Sequence, residues 1–508
     1  MRCSYTRTPV DRRAFLRGAL AAAAAVTRPG QLLAGITAGG DEPTRRYGNV
    51  VLRRRKPPSD APNVLFVSLD DCNDWLGFLN DHPGTYTPNL DALARKSLVF
   101  THAYTTAPMC LPARTSVLFG RAPHETGIYD HSEPSTRRYL QLARVTPSLV
   151  DDLWAAGYDT FCAGKVFHDG QERRWTKYRR TAQYVPGHLR DQPEWRGHYD
   201  PDWISPYDGR PIGRGEHFTY RMIDFGPSGV PPAREPDGRA AAWVRSRLQD
   251  DHRRPFLLAF GVYVPHEPWR VPQKFFDLHP LESVVVPTVR PDDLEDLSAY
   301  ARDRIIDPHG RFELLQKSGL WEEAVQAYQA AISFADDRVG TVLDTLARSR
   351  YADDTAVVVW SDHGFHLGEK MHIEKFTLWE RATRVPLVIH VPGRFDEHRE
   401  FSRPVSLLDL APTIAQLCGA RLHAEQDGGS LLPLVADPEQ ADARPPISTW
   451  LSGNHAVRRG SWRYIRYRTG DAELYDHRSD PDEFQNLAGR PEYAAVEAEL
   501  SSFLPSTG

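Results

Sequence analysis

The sequence predicts an α/β fold: a large mixed, mostly parallel sheet flanked by helices, with a smaller C-terminal α+β subdomain that carries an antiparallel sheet. Three observations lead there. The runs 63–69 (NVLFVSL), 256–263 (FLLAFGVY), 355–361 (TAVVVWS) and 385–392 (VPLVIHVP) are almost continuously apolar, the mark of strands buried on both faces of a parallel-type sheet. Helical periodicity separates them, most plainly over 321–348, where Ala324, Tyr328, Ala331, Ile332, Ala335, Val339, Val342 and Leu346 share one face. Near the end of the chain, 456–458 and 462–467 alternate like strands of an antiparallel sheet.

Bulk properties bound the rest. The 508 residues are 41% hydrophobic and 25% charged, a globular composition with length for one large domain and a smaller one. A net charge of −5 argues against general nucleic-acid binding, so a polyanionic ligand must meet a local basic pocket. Five widely spaced cysteines (Cys3, Cys72, Cys110, Cys162, Cys418) form neither a disulfide framework nor a paired zinc pattern.

In chain order, residues 1–40 carry Arg12 and Arg13, then Ala14, Phe15 and Leu16, ahead of a short apolar run at 18–26. This resembles a bacterial twin-arginine export signal, with Asp11 where Ser or Thr is usual, and implies a periplasmic or secreted protein. The run is too short to span a bilayer, and no other stretch reaches the roughly 18 apolar residues a membrane helix needs. Residues 41–61, rich in Gly, Pro and Arg, read as a linker. The main domain is expected over 62–395 and the smaller subdomain over 396–508.

The run 63–69 ends in Asp70 and Asp71, at the carboxyl end of a core strand, where open α/β sheets place ligands. Two adjacent carboxylates repel each other unless a cation lies between them, so a hard metal ion is expected there. A helix N-cap would use one Asp and not both. A helix over 87–94 and a strand at 98–100 lead to Cys110, Leu111, Pro112, Ala113 and Arg114. Pro112 suits the first turn of a helix, which places Cys110 at an anion-favouring N-terminus and Arg114 on the same face, one turn on. A buried structural cysteine is the plainer alternative.

Further on, a helix at 149–156 precedes a strand at 158–163, whose exit carries Gly164, Lys165 and His168. Residues 169–237 lack periodicity, and their basic stretch (Arg173, Arg174, Lys177, Arg179, Arg180) points to a loop that shapes a substrate pocket or to a solvated one. After a helix at 239–248, the strand 256–263 exits to His266, held between Pro265 and Pro268 on a stiff extended loop. The strand 355–361 exits to Asp362 and His363, with Lys375 farther along.

The C-x-P-x-R motif of Cys110, Pro112 and Arg114, with G-K-x-x-H at 164–168, P-H-E-P at 265–268, S-D-H-G at 361–364 and L-Y-D…D-P-x-E…N-L at 474–487, resembles the formylglycine-dependent (type I) sulfatases over about 62–490. The stretches at 163–168, 265–268, 361–369 and 384–387 look most like those of iduronate-2-sulfatases. Ala113 departs from the Ser of many relatives, and 169–237 matches no motif. The resemblance implies an alkaline-phosphatase-like fold and the hydrolysis of sulfate from a sulfated carbohydrate. It implies that Cys110 is oxidised to formylglycine by a formylglycine-generating enzyme, and that one calcium ion is held by Asp70, Asp71, Asp362, His363 and the modified residue 110. Arg114, Lys165 and Lys375 would bind sulfate, His168 would deprotonate the second hydroxyl of the formylglycine hydrate, and His266 would protonate the leaving sugar oxygen. A phosphatase or phosphonate monoester hydrolase of the same superfold, and a non-catalytic sulfoglycan-binding homologue, stand as alternatives.

Overall fold

Strand β1 (Asn63–Asp70) is buried along its whole length, and its side chains alternate between two cores. Leu65, Val67 and Leu69 face one, while Val64 and Phe66 face the other, as the two-residue period of a strand requires. In the computed structural model, which describes residues 43–168, 171–179, 224–304, 306, 307, 309–439 and 444–506, β1 is a middle strand of an eight-stranded sheet. The others are β2 (Leu98–Phe100), β3 (Asp159–Gly164), β4 (Lys177–Arg179), β5 (Phe256–Pro265), β6 (Thr355–Ser361), β7 (Leu387–His390) and β8 (Arg399–Phe401).

Their spatial order is β8-β2-β7-β6-β1-β5-β3-β4. Only β7 runs against its neighbours; every other pairing is parallel. The expected mixed, mostly parallel sheet is present.

Four helices frame it: α1 (Cys110–Phe119), α2 (Pro236–Leu248), α3 (Trp321–Ala347) and α4 (Leu410–Leu417). The apolar stripes of α2 and α3 cover one face of the sheet; α1 and α4 cover the other. All eight residues of the α3 stripe read from the sequence are buried there. A separate antiparallel sheet follows, β9 (Ile447–Thr449), β10 (His455–Arg459), β11 (Trp462–Arg466) and β12 (Ala472–Asp476).

Three boundaries differ from expectation. Within the 41–61 linker, Thr44–Tyr47 and Val50–Arg53 pair as an antiparallel hairpin. Leu52 packs on Trp154 and Ala155, and Arg45 bonds the buried Asp151 at 3.1 Å; tertiary contact, not local periodicity, orders these short strands. The subdomain boundary at 395/396 falls too early, because β8 extends the large sheet and α4 fills its core. In the 169–237 insertion, Lys177–Arg179 is an edge strand, and Arg174 is buried against Asp151, so it is a structural cation and not a substrate ligand. Residues 180–223 and the export signal at 1–40 lie outside the described residues.

Candidate active site

Because β1, β3, β5 and β6 are parallel, their carboxyl ends open at one edge of the sheet, and the residues after them meet there. Two glycines bring β3 and β5 close. A Cβ on Gly261 would lie 2.2 Å from the Lys165 carbonyl oxygen, and one on Gly164 (φ +84°) 1.8 Å from that of Gly261. Any side chain at either position would push the Lys165 exit outward.

Cys110 is the first residue of α1, follows the extended Met109 and is 1% exposed. Its Sγ lies 3.3 Å from His363 Nε2, 3.6 Å from Lys375 Nζ and 3.9 Å from Asp71 Oδ1. Burial pushes its thiol up to about 12, against the pull of Lys165 and Lys375. The carboxylates are arranged in pairs with cations. Lys165 Nζ meets Asp70 Oδ2 at 2.5 Å, and Lys375 Nζ lies 2.7 Å from each Asp71 oxygen. Burial alone would raise both acids, yet Lys165 and Arg114 hold Asp70 well below the carboxylate range. His266 and Lys375 bring Asp71 to about 2 despite its burial.

The Arg114 guanidinium has protein partners on every side. Its Nε donates to Asp362 Oδ2 at 2.8 Å, and Nη2 donates to Asp70 Oδ1 at 3.1 Å and the Leu69 carbonyl at 3.3 Å. Nη1 donates to the carbonyls of Lys165 and Val166 at 2.6 and 3.2 Å. All three nitrogens are engaged, so Arg114 braces the carboxylates and the ends of two strands.

His363 and His266 are oriented by carbonyls, which can only accept. His363 Nδ1–H donates to Gly364 at 3.0 Å, which aims the Nε2 lone pair at Cys110 and Asp71. His266 Nδ1–H donates to Glu267 at 2.7 Å, with Nε2 3.9 Å from Asp71 Oδ2. Burial pushes His266 down to about 4 against the pull of Asp71. The ring of His168 lies 4.5 Å from that of His131.

Sequence reasoning missed His131, whose Nε2 accepts the Leu111 N–H at 3.3 Å. It also missed Tyr328, whose hydroxyl donates to the Asp71 carbonyl at 2.7 Å and accepts from Asn73 N–H at 3.0 Å. Tyr328 sits in the apolar stripe of α3, where a phenol reads as core; His131 follows no strand.

The donors suit a metal ion. Asp71, Cys110 and His363 offer atoms within 4.8 Å of one another, and so do Asp70, Cys110 and Asp362. Asp71 is held at φ +61°, a strained conformation for a non-glycine residue that turns its carboxylate toward the cluster. Three carboxylates and one imidazole nitrogen fit a hard divalent cation such as calcium, with the nitrogen the unusual member.

The family model for sulfatases matches residues 62–420. The chain belongs to the sulfatase family. A model described as N-sulphoglucosamine sulphohydrolase, C-terminal, covers residues 368–507. The chain is 33% identical to a sulfatase of Formosa agariphila over 88% of its length and 87% of the relative's. It is 30% identical to a choline-sulfatase of Rhizobium meliloti, covering 87% and 85%, and 29% identical to human iduronate 2-sulfatase, covering 72% and 70%. Its fold matches a 2-O glycosaminoglycan sulfatase, BT1596 (TM-score 0.65, 21% identity, covering 87% and 90%). It also matches a phosphonate monoester hydrolase of Silicibacter pomeroyi (TM-score 0.66, 20% identity, covering 87% and 94%). The chain is thus a sulfuric ester hydrolase with the alkaline-phosphatase-like architecture. Among the described residues of this sulfatase, no helix is long and apolar enough to cross a membrane.

Proposed function

We propose that this sulfatase removes sulfate from a sulfated carbohydrate, with residue 110 converted to formylglycine and one calcium ion held by Asp70, Asp71, Asp362 and His363. The observation that carries the reading is the convergence on Cys110 of His363, Lys375 and Asp71 within 3.9 Å. Once present, the formylglycine hydrate supplies an oxygen nucleophile with a built-in route to release sulfate, and calcium supplies a Lewis acid.

The remaining chemistry belongs to the chain. Lys165 and Lys375 meet the sulfuryl oxygens and stabilise the charge that shifts onto them. Arg114 holds Asp70 and Asp362 in place. His266 protonates the leaving oxygen, a role typically worth about 10²–10⁴-fold. Burial opposes its charged form, and the bound sulfate anion favours it. His168, backed by the ring of His131, accepts the proton when sulfate departs. Export by the twin-arginine route would suit a protein whose cysteine is modified by a formylglycine-generating enzyme before it leaves the cytoplasm. Likeness in motifs and in relatives to iduronate 2-sulfatase favours a sulfated uronic acid or a polysaccharide-derived sugar as substrate.

Mass spectrometry of the Cys110 peptide, from a host with the maturation machinery, tests the mechanism. The peptide is expected to show the mass loss of a thiol-to-aldehyde change, and an unmodified thiol there would refute the proposal. A panel of sulfated oligosaccharides, choline sulfate and a phosphonate monoester then decides the substrate class. Turnover of the phosphonate alone would replace this reading with that of the phosphonate hydrolases.

A further inference from the structure

We infer that Arg311 is a positioning residue that locks the loop carrying His266 to the loop carrying Lys375, an inference that rests on the roles proposed for those two side chains. Arg311 opens the short helix Arg311–Ser318 and is 1% exposed. Its guanidinium grips Glu267 with both forks, Nη1 to Oε2 at 3.2 Å and Nη2 to Oε1 at 3.1 Å. Nη1 also lies 3.5 Å from Glu374 Oε1. Glu267 follows His266 in the chain, and Glu374 precedes Lys375.

Each grip reaches the working atom through one further bond. The Glu267 carbonyl receives both His266 Nδ1–H at 2.7 Å and the Tyr263 hydroxyl at 2.9 Å, so fixing Glu267 fixes the direction of His266 Nε2. On the other loop, His309 Nδ1 holds the second Glu374 oxygen at 2.8 Å. His372 accepts the Asp307 N–H at Nδ1 (2.8 Å) and donates from Nε2 to the Lys375 carbonyl (2.6 Å). Asp307 then caps the helix that bears Arg311, with its carboxylate 2.7 Å from Arg311 N and 3.0 Å from Phe312 N. Asp307, His309 and Arg311 therefore bracket both loops.

The Lys375 loop needs such a bracket, because Glu374 (φ +142°) and Phe376 (φ +75°) flank the lysine in backbone conformations that side chains other than glycine rarely adopt. The two working groups then converge on one carboxylate, Lys375 Nζ at 2.7 Å and His266 Nε2 at 3.9 Å from Asp71. A planar fork can hold two loops at a set separation. A lysine, as a point charge, cannot.

The test compares Arg311→Lys with His266→Ala and wild type on two esters, a sulfated sugar with a poor leaving group and nitrophenyl sulfate, with thermal unfolding as a fold check. His266→Ala is expected to depress turnover of the sugar ester far more than that of nitrophenyl sulfate. Arg311→Lys is expected to show the same bias, at least about 10-fold in the ratio of kcat values, and to weaken inhibition by inorganic sulfate through Lys375. A purely structural ion pair would lower both rates together and leave the ratio unchanged, which would overturn the inference while His266→Ala keeps its bias. Absence of bias in His266→Ala itself would overturn the acid role and this inference with it. If Arg311→Lys does not fold, Glu267→Gln, which keeps shape and loses the charge of the grip, is read by the same ratio.

Discussion

Arg114 lies 1% exposed between Asp70 and Asp362, at 3.1 and 2.8 Å. Its remaining donors go to backbone carbonyls and to Ser68 Oγ, so its removal takes the guanidinium from the buried Asp362 and leaves Asp70 with Lys165 alone. Breaking a buried pair from one side typically costs about 3–5 kcal/mol. Arg114→Gln is therefore expected to lower the thermal unfolding midpoint sharply in the calcium-free protein, whereas a sulfate ligand would weaken sulfate inhibition and leave the midpoint in place. Calorimetry alongside a sulfate-inhibition series separates the two. The sequence shows that Cys110 and Arg114 share a helix face, because spacing alone decides that. It does not show which partners the guanidinium takes, because those arrive from β1, β3 and β6. Lys165 and Lys375 were legible for the same limited reason: a lysine beside a strand exit or on a motif loop is visible, and its 2.5 or 2.7 Å contact with Asp70 or Asp71 is not.

Elements were read best where burial is continuous. Strands β1, β5 and β6 announce themselves as apolar runs, and since they are parallel their exits had to meet. The hairpin of Thr44–Tyr47 and Val50–Arg53 could not be read, because its stabilising partners, Trp154 and Asp151, are supplied by a distant helix. Helix α2 starts with a comparable hidden cost. Glu235, just before it, is 2% exposed with Ser228 Oγ 2.5 Å from its carboxylate, and burial pushes its pKa up to about 8 from 4.5. The folded state therefore binds a proton that the unfolded chain has released. Stability from this group is complete below the unfolded value of 4.5 and is lost as pH rises toward 8. Every tenfold gain in proton affinity on folding corresponds to roughly 1.4 kcal/mol. Glu235→Gln, which keeps an uncharged acceptor for Ser228, is expected to flatten the fall of the unfolding midpoint between those pH values and to leave the acid side unchanged. An unaltered slope would show that the carboxyl is not protonated in the fold.

At the scale of the whole molecule, the C-terminal sheet is part of the active site's support. Ser448 Oγ and Thr449 N on β9 bond the carbonyls of Thr105 and Thr106 at 2.6 and 2.8 Å, in the segment that leads to Cys110. Met109 packs with Trp379, Trp450, Ile465, Tyr467 and Tyr475 in one cluster. Arg463 on β11, 1% exposed, pairs with Glu380 and, at 2.6 Å, with Glu483, while Trp379 Nε1 donates to Glu473 at 2.7 Å. A chain ending at residue 446 would expose that cluster, at about 1.5–3 kcal/mol for each large side chain, and would leave Glu380 without Arg463, at about 3–5 kcal/mol. Together these losses match the whole stability of an ordinary domain, about 5–15 kcal/mol. The truncated chain is therefore expected to be insoluble or to lack a cooperative thermal transition and near-UV circular dichroism, even though it retains every residue proposed for catalysis and metal binding. A cooperative unfolding transition in that fragment would show that the large sheet holds the Cys110 turn unaided, and that the C-terminal sheet serves substrate binding instead.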